Sequence, residues 1–422
     1  MRILATFCFS FAAGSALAQY VLPHNVLFPA AFAAVLCALA VRFLQKERRR
    51  CILLILLGLA LSFVHSALYN AFIFAPNEAL VSTEQTLTME LCAKPEETAY
   101  GARAEVSILN RGLHGHAMYY GEKELLRHEP GEKLTTRVSC NSAVTLGENE
   151  DEFTTFTSRG IYLLLYNEGE ERYEKGNIDA LRYLPVRMAE RFAEKIDSLF
   201  PARGAAFFRA LLLGDRTQMS VRDKSNLSEA GLYHITAVSG LHCGFLLAAA
   251  VYILGRKYAK RLCAVTIVLL VVYTLLTGAS PSTVRASIML SMVVIAPLCN
   301  REPDGVTSLA FSLFLILLYN PYAIGSVSLQ LSYAAVGGIL WLTPKAMQYV
   351  GGHGRIVYMV LSSFAVTMGA CIFTLPLCAY YFGRMSLVMF LSNLLCLGVV
   401  SASFMAGLLA VVVSMFSRRL PV

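Results

Sequence analysis

The chain reads as an α-helical polytopic membrane protein of about ten spans, with one small β-barrel domain inserted after the first few. Three observations predict this. Only 15% of its 422 residues are charged while 56% are hydrophobic, and the mean hydropathy is +0.57; soluble domains carry roughly 25% charged residues. Apolar runs long enough for a hydrocarbon core of about 30 Å recur along the chain. One polar stretch shows the two-residue alternation of strands instead of the helical period.

Three runs precede the polar stretch, at about 3–20, 27–44 and 51–75. Seven follow it, at about 232–254, 262–279, 283–299, 306–324, 327–343, 357–382 and 386–416. The last is too long for one straight span, so it is tilted, broken or two segments. Met1-Arg2 and Ala16-Leu17-Ala18 bracket the first run like a signal peptide. A second run follows so closely that an uncleaved helical hairpin is the preferred reading.

Lys and Arg in the loops set the orientation. Lys46 and Arg48-Arg49-Arg50 are expected in the cytoplasm, which sends the polar insert outside. The alternation then puts Arg256, Lys257, Lys260, Arg261, Arg301, Lys345, Arg355, Arg418 and Arg419 inside, and the uncharged loops near Ala279–Ser282 and Asn320–Ser326 outside. One topology, with both termini inside, satisfies these loops. The net charge of +8 is thus a topology signal more than a soluble basic patch.

Four regions follow: N-terminal membrane helices (1–75), an outer β domain (76–182), amphipathic surface helices (183–230) and a membrane core (231–422). In the insert, Leu87, Met89 and Leu91 share one strand face while Thr86, Thr88 and Glu90 share the other. Strands are expected at Thr86–Ala93, Ala102–Asn110, Ala117–Gly121, Lys133–Cys140 and Gly160–Tyr166, separated by Gly and Asn turns. Five short strands suit a small barrel, and periodicity alone does not separate that from a sandwich. Of 11 cysteines only Cys92 and Cys140 lie in the insert. An even pair in an outside domain suggests a disulfide, the alternative being two separate buried thiols. His114-Gly115-His116 lacks a Cys, Asp or Glu framework, so no metal is expected there.

Between insert and core, Met188, Phe192, Ile196 and Phe200, then Phe207, Phe208, Leu211 and Leu212, recur at helical spacing. Arg187, Arg191, Glu194, Lys195 and Arg203 lie between them. This suits a membrane surface, and Pro201 divides it into two helices.

Polar groups in hydrocarbon are costly and usually face a cavity, a pore or each other. Asp215 and Arg216 end the amphipathic segment. Ser228, Tyr233, His234, Thr236, Ser239 and His242 follow, with His234 and His242 placed on one helix face. Arg285 stands behind Ser280-Pro281-Ser282-Thr283. Gln330 and Ser332 enter a later mouth, Arg384 and Asn393 the last. The alternatives are that the histidines bond neighbouring helices, that Arg285 and Arg384 snorkel, and that Ser239-Gly240 and Gly278-Ala279-Ser280 are tight helix contacts. From Gly231 to Val422 the only acidic residues are Glu302 and Asp304. Mouths with arginine and no carboxylate suit an anionic substrate or a lipid phosphate.

These residues carry a resemblance. Ala210-Leu211-Leu212-Leu213-Gly214-Asp215-Arg216 and His234-Ile235-Thr236-Ala237-Val238-Ser239-Gly240-Leu241-His242 resemble the signature of the ComEC family of competence proteins. Thr277-Gly278-Ala279-Ser280-Pro281-Ser282-Thr283-Val284-Arg285-Ala286 follows in register. So do Asn320-Pro321 with Gln330-Leu331-Ser332-Tyr333, and Tyr381-Phe382-Gly383-Arg384 with Ser386 and Asn393. The family's acidic residue, glycine and phenylalanine before Gln-Leu-Ser are here Ser326, Ser328 and Leu329.

The resemblance implies a channel taking up single-stranded DNA across the cytoplasmic (inner) membrane of a bacterium during natural transformation. It implies that the insert is an outer domain of oligonucleotide-binding (OB) type. Its implied partners are the strand, membrane lipid, a separate DNA receptor and a cytoplasmic helicase-like motor; a homo-oligomer is compatible. The chain shows no Gly-rich phosphate loop to drive transport itself. Many family members continue into a metallo-β-lactamase-like domain. This chain ends at Val422 with eight histidines in no such cluster, so no nuclease activity, metal or cofactor is expected of it. Tyr100, Tyr119, Tyr120, Phe153 and Phe156 are candidates for stacking on bases. Two other classes stay open: a secondary transporter for a small anionic or lipid-linked substrate, and a membrane enzyme using His234, Asp215 and Ser239. The first wants internal repeats and a midplane carboxylate, neither of which is seen. The second wants nucleophile, base and acid in contact.

Overall fold

The computed structural model describes residues 2–41, 46–109, 115–144, 156–176, 181–255, 259–349, 354–383 and 388–416. It contains two compact units, residues 1–186 with 313–326, and residues 187–312 with 327–422. Arg384, Ser386, His114, Phe153 and the loop cations Arg256, Lys257, Arg418 and Arg419 lie outside the described residues.

The first unit opens with helices α1 (Ile3–Tyr20), α2 (Leu27–Ala40) and α3 (Lys46–Tyr69). The last runs on through a π turn, Asn70–Phe74, into a final turn, α4 (Ala75–Glu78). α1 and α3 meet at two glycines. A Cβ at Gly14 would stand 2.9 Å from the Ser62 Cβ, and one at Gly58 would stand 2.8 Å from the Phe7 carbonyl. Small residues allow such close approach, which helix pairs need where no hydrophobic effect drives them together. The Ser15 and Ser62 hydroxyls bond across the seam at 3.0 Å.

The insert forms strands β1 (Thr83–Leu91), β2 (Glu96–Thr98), β3 (Gly101–Ile108), β4 (His116–Gly121), β5 (Lys133–Ser142), β6 (Ile161–Asn167) and β7 (Arg172–Glu174). Five of them close a ring in the order β1-β3-β4-β6-β5 and back to β1. All its pairings are antiparallel except β4–β6. Closure resolves the barrel-or-sandwich question in favour of a five-stranded barrel, with β2 and β7 as short additions to β3 and β5. Leu87, Met89 and Leu91 are fully buried inside it with Tyr119, Leu134 and Leu163. Glu90, on the opposite face of β1, is also covered and pairs with Arg182. Residues 76–182 carry 19 of the chain's 28 acidic side chains against 11 Lys and Arg.

The expected Cys92–Cys140 disulfide is not formed. The β1–β5 register gives the reason. Cys140 lies opposite Thr83 at one end of the ladder, while Glu90 lies opposite Lys133 at the other, with Cys92 just beyond. At about 3.3 Å per residue, the nine residues from Thr83 to Cys92 put the two roughly 30 Å apart along the ladder, against the roughly 7 Å that a bridge allows. Composition supplied an even pair; the strand order separates it.

The second unit begins with α5 (Leu184–Leu199, its last thirteen residues) and α6 (Ala202–Leu213), divided at Pro201 as expected. A polar helix not read from the sequence, α7 (Val221–Glu229), follows with Ser220 as its N-cap. Then come α8 (Gly240–Leu254), α9 (Ala259–Leu276), α10 (Pro281–Ile295), α11 (Gly305–Tyr319), α12 (Val327–Met347), α13 (Arg355–Phe382) and α14 (Met389–Phe416). The run 386–416 is one 28-residue helix over its described part. α12 and α13 close on facing glycines, since a Cβ at Gly338 would collide with the Gly369 carbonyl.

Among the described residues six helices are long and apolar enough to cross a membrane, and three shorter apolar ones accompany them. The chain is a membrane protein. The expected span 232–254 is corrected: Tyr233–Thr236 is a 3-10 turn, Ala237 and Ser239 are extended, and α8 begins only at Gly240.

Candidate functional site

α6 ends at Gly214, whose φ of 78° suits a residue without a Cβ. The chain then turns through Asp215 and Arg216. Asp215 accepts from the Thr217 amide (3.0 Å) and hydroxyl (2.5 Å), and from Arg209 Nε (3.0 Å). Arg209 also donates to Asp197 at 2.7 Å. Burial pushes the Asp215 carboxyl up, but the two Thr217 bonds and Arg209 outweigh it and hold it below the ordinary aspartate value. Arg216 donates through Nε to the Thr236 carbonyl at 3.2 Å and lies 4.5 Å over the Tyr233 ring. The Gly-Asp-Arg motif therefore braces the turn that leads into α8.

Ser239 caps α8. Its hydroxyl accepts from the Leu241 amide at 3.3 Å, and its own amide donates to His242 Nδ1 at 3.0 Å. This is a reciprocal box in which histidine takes the place usual for glutamate. Because Nδ1 accepts, the ring hydrogen sits on Nε2, which is buried and has no partner among the described residues. The ring packs 4.7 Å from Phe404. His234 is exposed on the preceding turn, with Nδ1 3.0 Å from the Gly231 carbonyl. The expected shared face for His234 and His242 does not exist, because the extended residues 237–239 separate them. The Ser239–His242 contact, with Oγ 3.3 Å from Nδ1, belongs to this helix cap.

α10 starts at Ser280, whose hydroxyl accepts from the Thr283 amide, with Pro281 at its first position. Ser282 donates to the Val238 carbonyl at 2.8 Å and so ties this start to the Ser239 turn. One turn on stands Arg285, 6% exposed. Its Nε donates to Ser332 at 2.9 Å, its Nη1 approaches the Met289 sulfur at 3.6 Å, and its guanidinium lies 5.8 Å from the Tyr333 ring centre. Nη2 has no hydrogen-bond partner and no carboxylate pairs with Arg285 among the described residues. The sequence offers Asp215 as an acidic partner for Arg285, but Asp215 pairs with Arg209 instead.

The structure thus brings Ser239, Gly240, Arg285 and Ser332 together from three motifs. Asp215 and Arg216 form a neighbouring cluster. Gln330 accepts from the Tyr381 hydroxyl at 2.6 Å. Asn393 stands on α14 with a buried Oδ1 that has no partner among the described residues. Arg384 lies outside the described residues. Sequence reasoning missed Arg209, although a carboxylate at a membrane mouth needs a cation and Arg209 lies only six residues before it. It also missed the ladder Cys243–Ser287–Thr274, at 3.8 and 2.7 Å, beneath Arg285; nothing in the spacing marks it.

Comparison with known proteins agrees with the motifs. The family model for competence protein matches residues 211–422, half of the chain. ComE operon protein 3 of Bacillus subtilis (strain 168) is 27% identical over 216 residues, 51% of this chain and 27% of that protein. The uncharacterized protein YcaI of Escherichia coli (strain K12) is 28% identical over 226 residues, 50% of this chain and 29% of that one. An uncharacterized protein of Aquifex aeolicus (strain VF5) is 29% identical over 196 residues, 46% of this chain and 44% of its own. The matched stretch is less than half the length of each relative. No solved structure matches. The motifs that converge on Arg285 lie within the matched region, and the chain belongs to the ComEC family of competence proteins.

Proposed function

We propose that this protein carries single-stranded DNA across the cytoplasmic membrane during natural transformation. The observation that supports this best is the site itself: a buried arginine without a carboxylate, held where three competence motifs converge. A polyanion crossing hydrocarbon needs cationic or polar groups along its route, and groups that hold it weakly enough to let go.

In this reading the helices make about ten crossings with both termini inside, and the barrel lies outside, because the cationic loops then all face the cytoplasm. The barrel, of OB type, meets the strand through base stacking more than through phosphate contacts. Its excess of carboxylates over cations repels phosphate, whereas Tyr120 and Tyr166 stack on each other at 5.0 Å and 11° and are partly open. Tyr100 is fully exposed, and Tyr119 is spent in the core. A receptor delivers the strand and a separate cytoplasmic motor pulls it. The chain itself acts as conduit and not as enzyme.

Deleting the gene tests the function. Uptake of labelled DNA into the cytoplasm should be lost while binding at the cell surface persists; unchanged cytoplasmic uptake would overturn it. A single cysteine placed near Glu122 should react with a membrane-impermeant maleimide before the inner membrane is opened. Reaction only afterwards would reverse the orientation.

A further inference from the structure

We propose that α1, α3 and the turn at Pro321-Tyr322 hold one water molecule in a polar cavity inside the first unit. The register of α1 on α3 leads to it. Gly14 and Gly58 let the two helices close, and Ser15 meets Ser62 directly at 3.0 Å. One turn further along each helix stand Gln19 and Ser66, the next pair on the same seam. This pair does not bond directly. Gln19 Oε1 and Ser66 Oγ are both buried, and neither has a hydrogen-bond partner among the described residues. Ser66 is only 8% exposed. Polar atoms in such positions are normally satisfied by protein or by ordered water.

A cavity lies where the missing contact should be. It holds about 10 Å³ and is lined by Ser15, Gln19 and Ser66 on the helices and by Pro321 and Tyr322 on the turn. One water needs roughly 10–15 Å³, whereas a phosphate group, a nucleotide or an acyl chain needs far more. The donors and acceptors also match. Ser15 gives its hydrogen to the Phe11 carbonyl at 3.1 Å, so Ser62 is the donor to Ser15. One lone pair of Ser15 then stays open. A water there accepts from the Ser66 hydroxyl and donates to Gln19 Oε1 and to Ser15, three bonds in all, the usual number for a buried water. A bare cation fits less well, because no acidic residue lines the cavity among the described residues. Bonds through such a water are nearly as favourable as direct ones, so it fastens α1 to α3 one turn beyond the Ser15–Ser62 contact.

The inference is independent of the proposed function. A structure of the full chain in lipid nanodiscs, at a resolution that shows ordered water, should place one solvent peak roughly 2.7–3.2 Å from both Gln19 Oε1 and Ser66 Oγ. No peak, or a direct Gln19–Ser66 bond, overturns the site. Thermal unfolding of the full chain in neutral detergent gives a second readout. Ser66→Ala and Gln19→Met should each lower the midpoint, and the double variant should lower it by less than the sum, since both act through one water. Without a bridging water the same changes remove unsatisfied polar atoms, and the midpoint stays or rises. That result, or strict additivity, overturns the proposal. Exchanging sodium chloride for choline chloride at equal ionic strength should leave the wild-type midpoint unchanged. A fall seen in the wild type and absent in Ser66→Ala would overturn the water and assign the site to a sodium ion.

Discussion

The side-chain amide of Asn320 donates to the main-chain carbonyls of Thr157 and Ser158, at 3.0 and 3.1 Å, and its oxygen accepts from the Tyr322 amide at 2.9 Å. Both of its amide hydrogens are spent, in a site only 3% exposed. Next to it Tyr322 stacks on Phe74 at 5.1 Å, and the Tyr69 and Tyr162 hydroxyls meet at 2.7 Å. The Asn-Pro motif therefore fastens the barrel to the end of the long helix that precedes it.

Replacing Asn320 by Ala should loosen this fastening. Two buried carbonyls lose their donor, a cost of about 2–3 kcal/mol. Amide exchange at Ile161 and in the Thr157–Gly160 turn should quicken while exchange in β1 stays slow. Equal protection in both proteins would show that the aromatic contacts suffice. Asn320→Asp should behave like Ala, since it keeps the acceptor and loses the donor.

Both insert cysteines should be found as thiols. Burial, with Glu105 and Glu90 nearby, pushes the Cys92 thiol up to about 12, and Cys140 is fully buried. Alkylation at neutral pH should be negligible in the folded protein and complete at both positions after denaturation without reductant. A mass showing one bridge would contradict the strand register.

Asp215 makes stability depend on pH in a defined direction. Its carboxyl sits below the ordinary aspartate value in the folded protein, so the stability it adds is full above the unfolded value of about 3.9. That stability disappears as pH falls through the folded value. The wild type should exceed Asp215→Asn by about 1 kcal/mol at neutral pH, discounted for a side chain that is 27% exposed. The gap should close in acid; a gap independent of pH would assign the effect to packing.

Ser239→Ala should cost about 1 kcal/mol through loss of the cap, seen as a lower unfolding midpoint. Ser239→Thr should recover most of it. If Ala and Thr behave alike, the His242 half of the box holds the helix start alone.

Much of this was legible beforehand. All five long strands lie within a few residues of their expected bounds, because a closed barrel with a filled interior enforces the period seen at Leu87, Met89 and Leu91. The Pro201 break and most membrane helices were equally plain. What failed did so where tertiary pairing decides. Nothing local says that Cys92 and Cys140 lie at opposite ends of a ladder, or that Asp215 chooses Arg209 over Arg285. The helix α7 was signalled only by Ser220 and Asp223, a cap pattern easily lost among polar residues. The break before α8 was hidden because Val238 and Leu241 keep the apolar run unbroken across an extended turn.

α8 has a consequence for the lipid around it. Fifteen residues rise about 22 Å, some 8 Å short of an average hydrocarbon layer. In the topology proposed above α8 is one of the crossings, and hydrophobic mismatch of that size would draw the bilayer thinner or bring headgroups and water down toward the helix start. The host's acyl-chain length then becomes a variable of the protein's own energetics. In vesicles, shorter-chain phosphatidylcholine should stabilise the folded chain relative to longer-chain lipid of the same headgroup, with the difference set at the start of α8 and not by the longer helices α13 and α14.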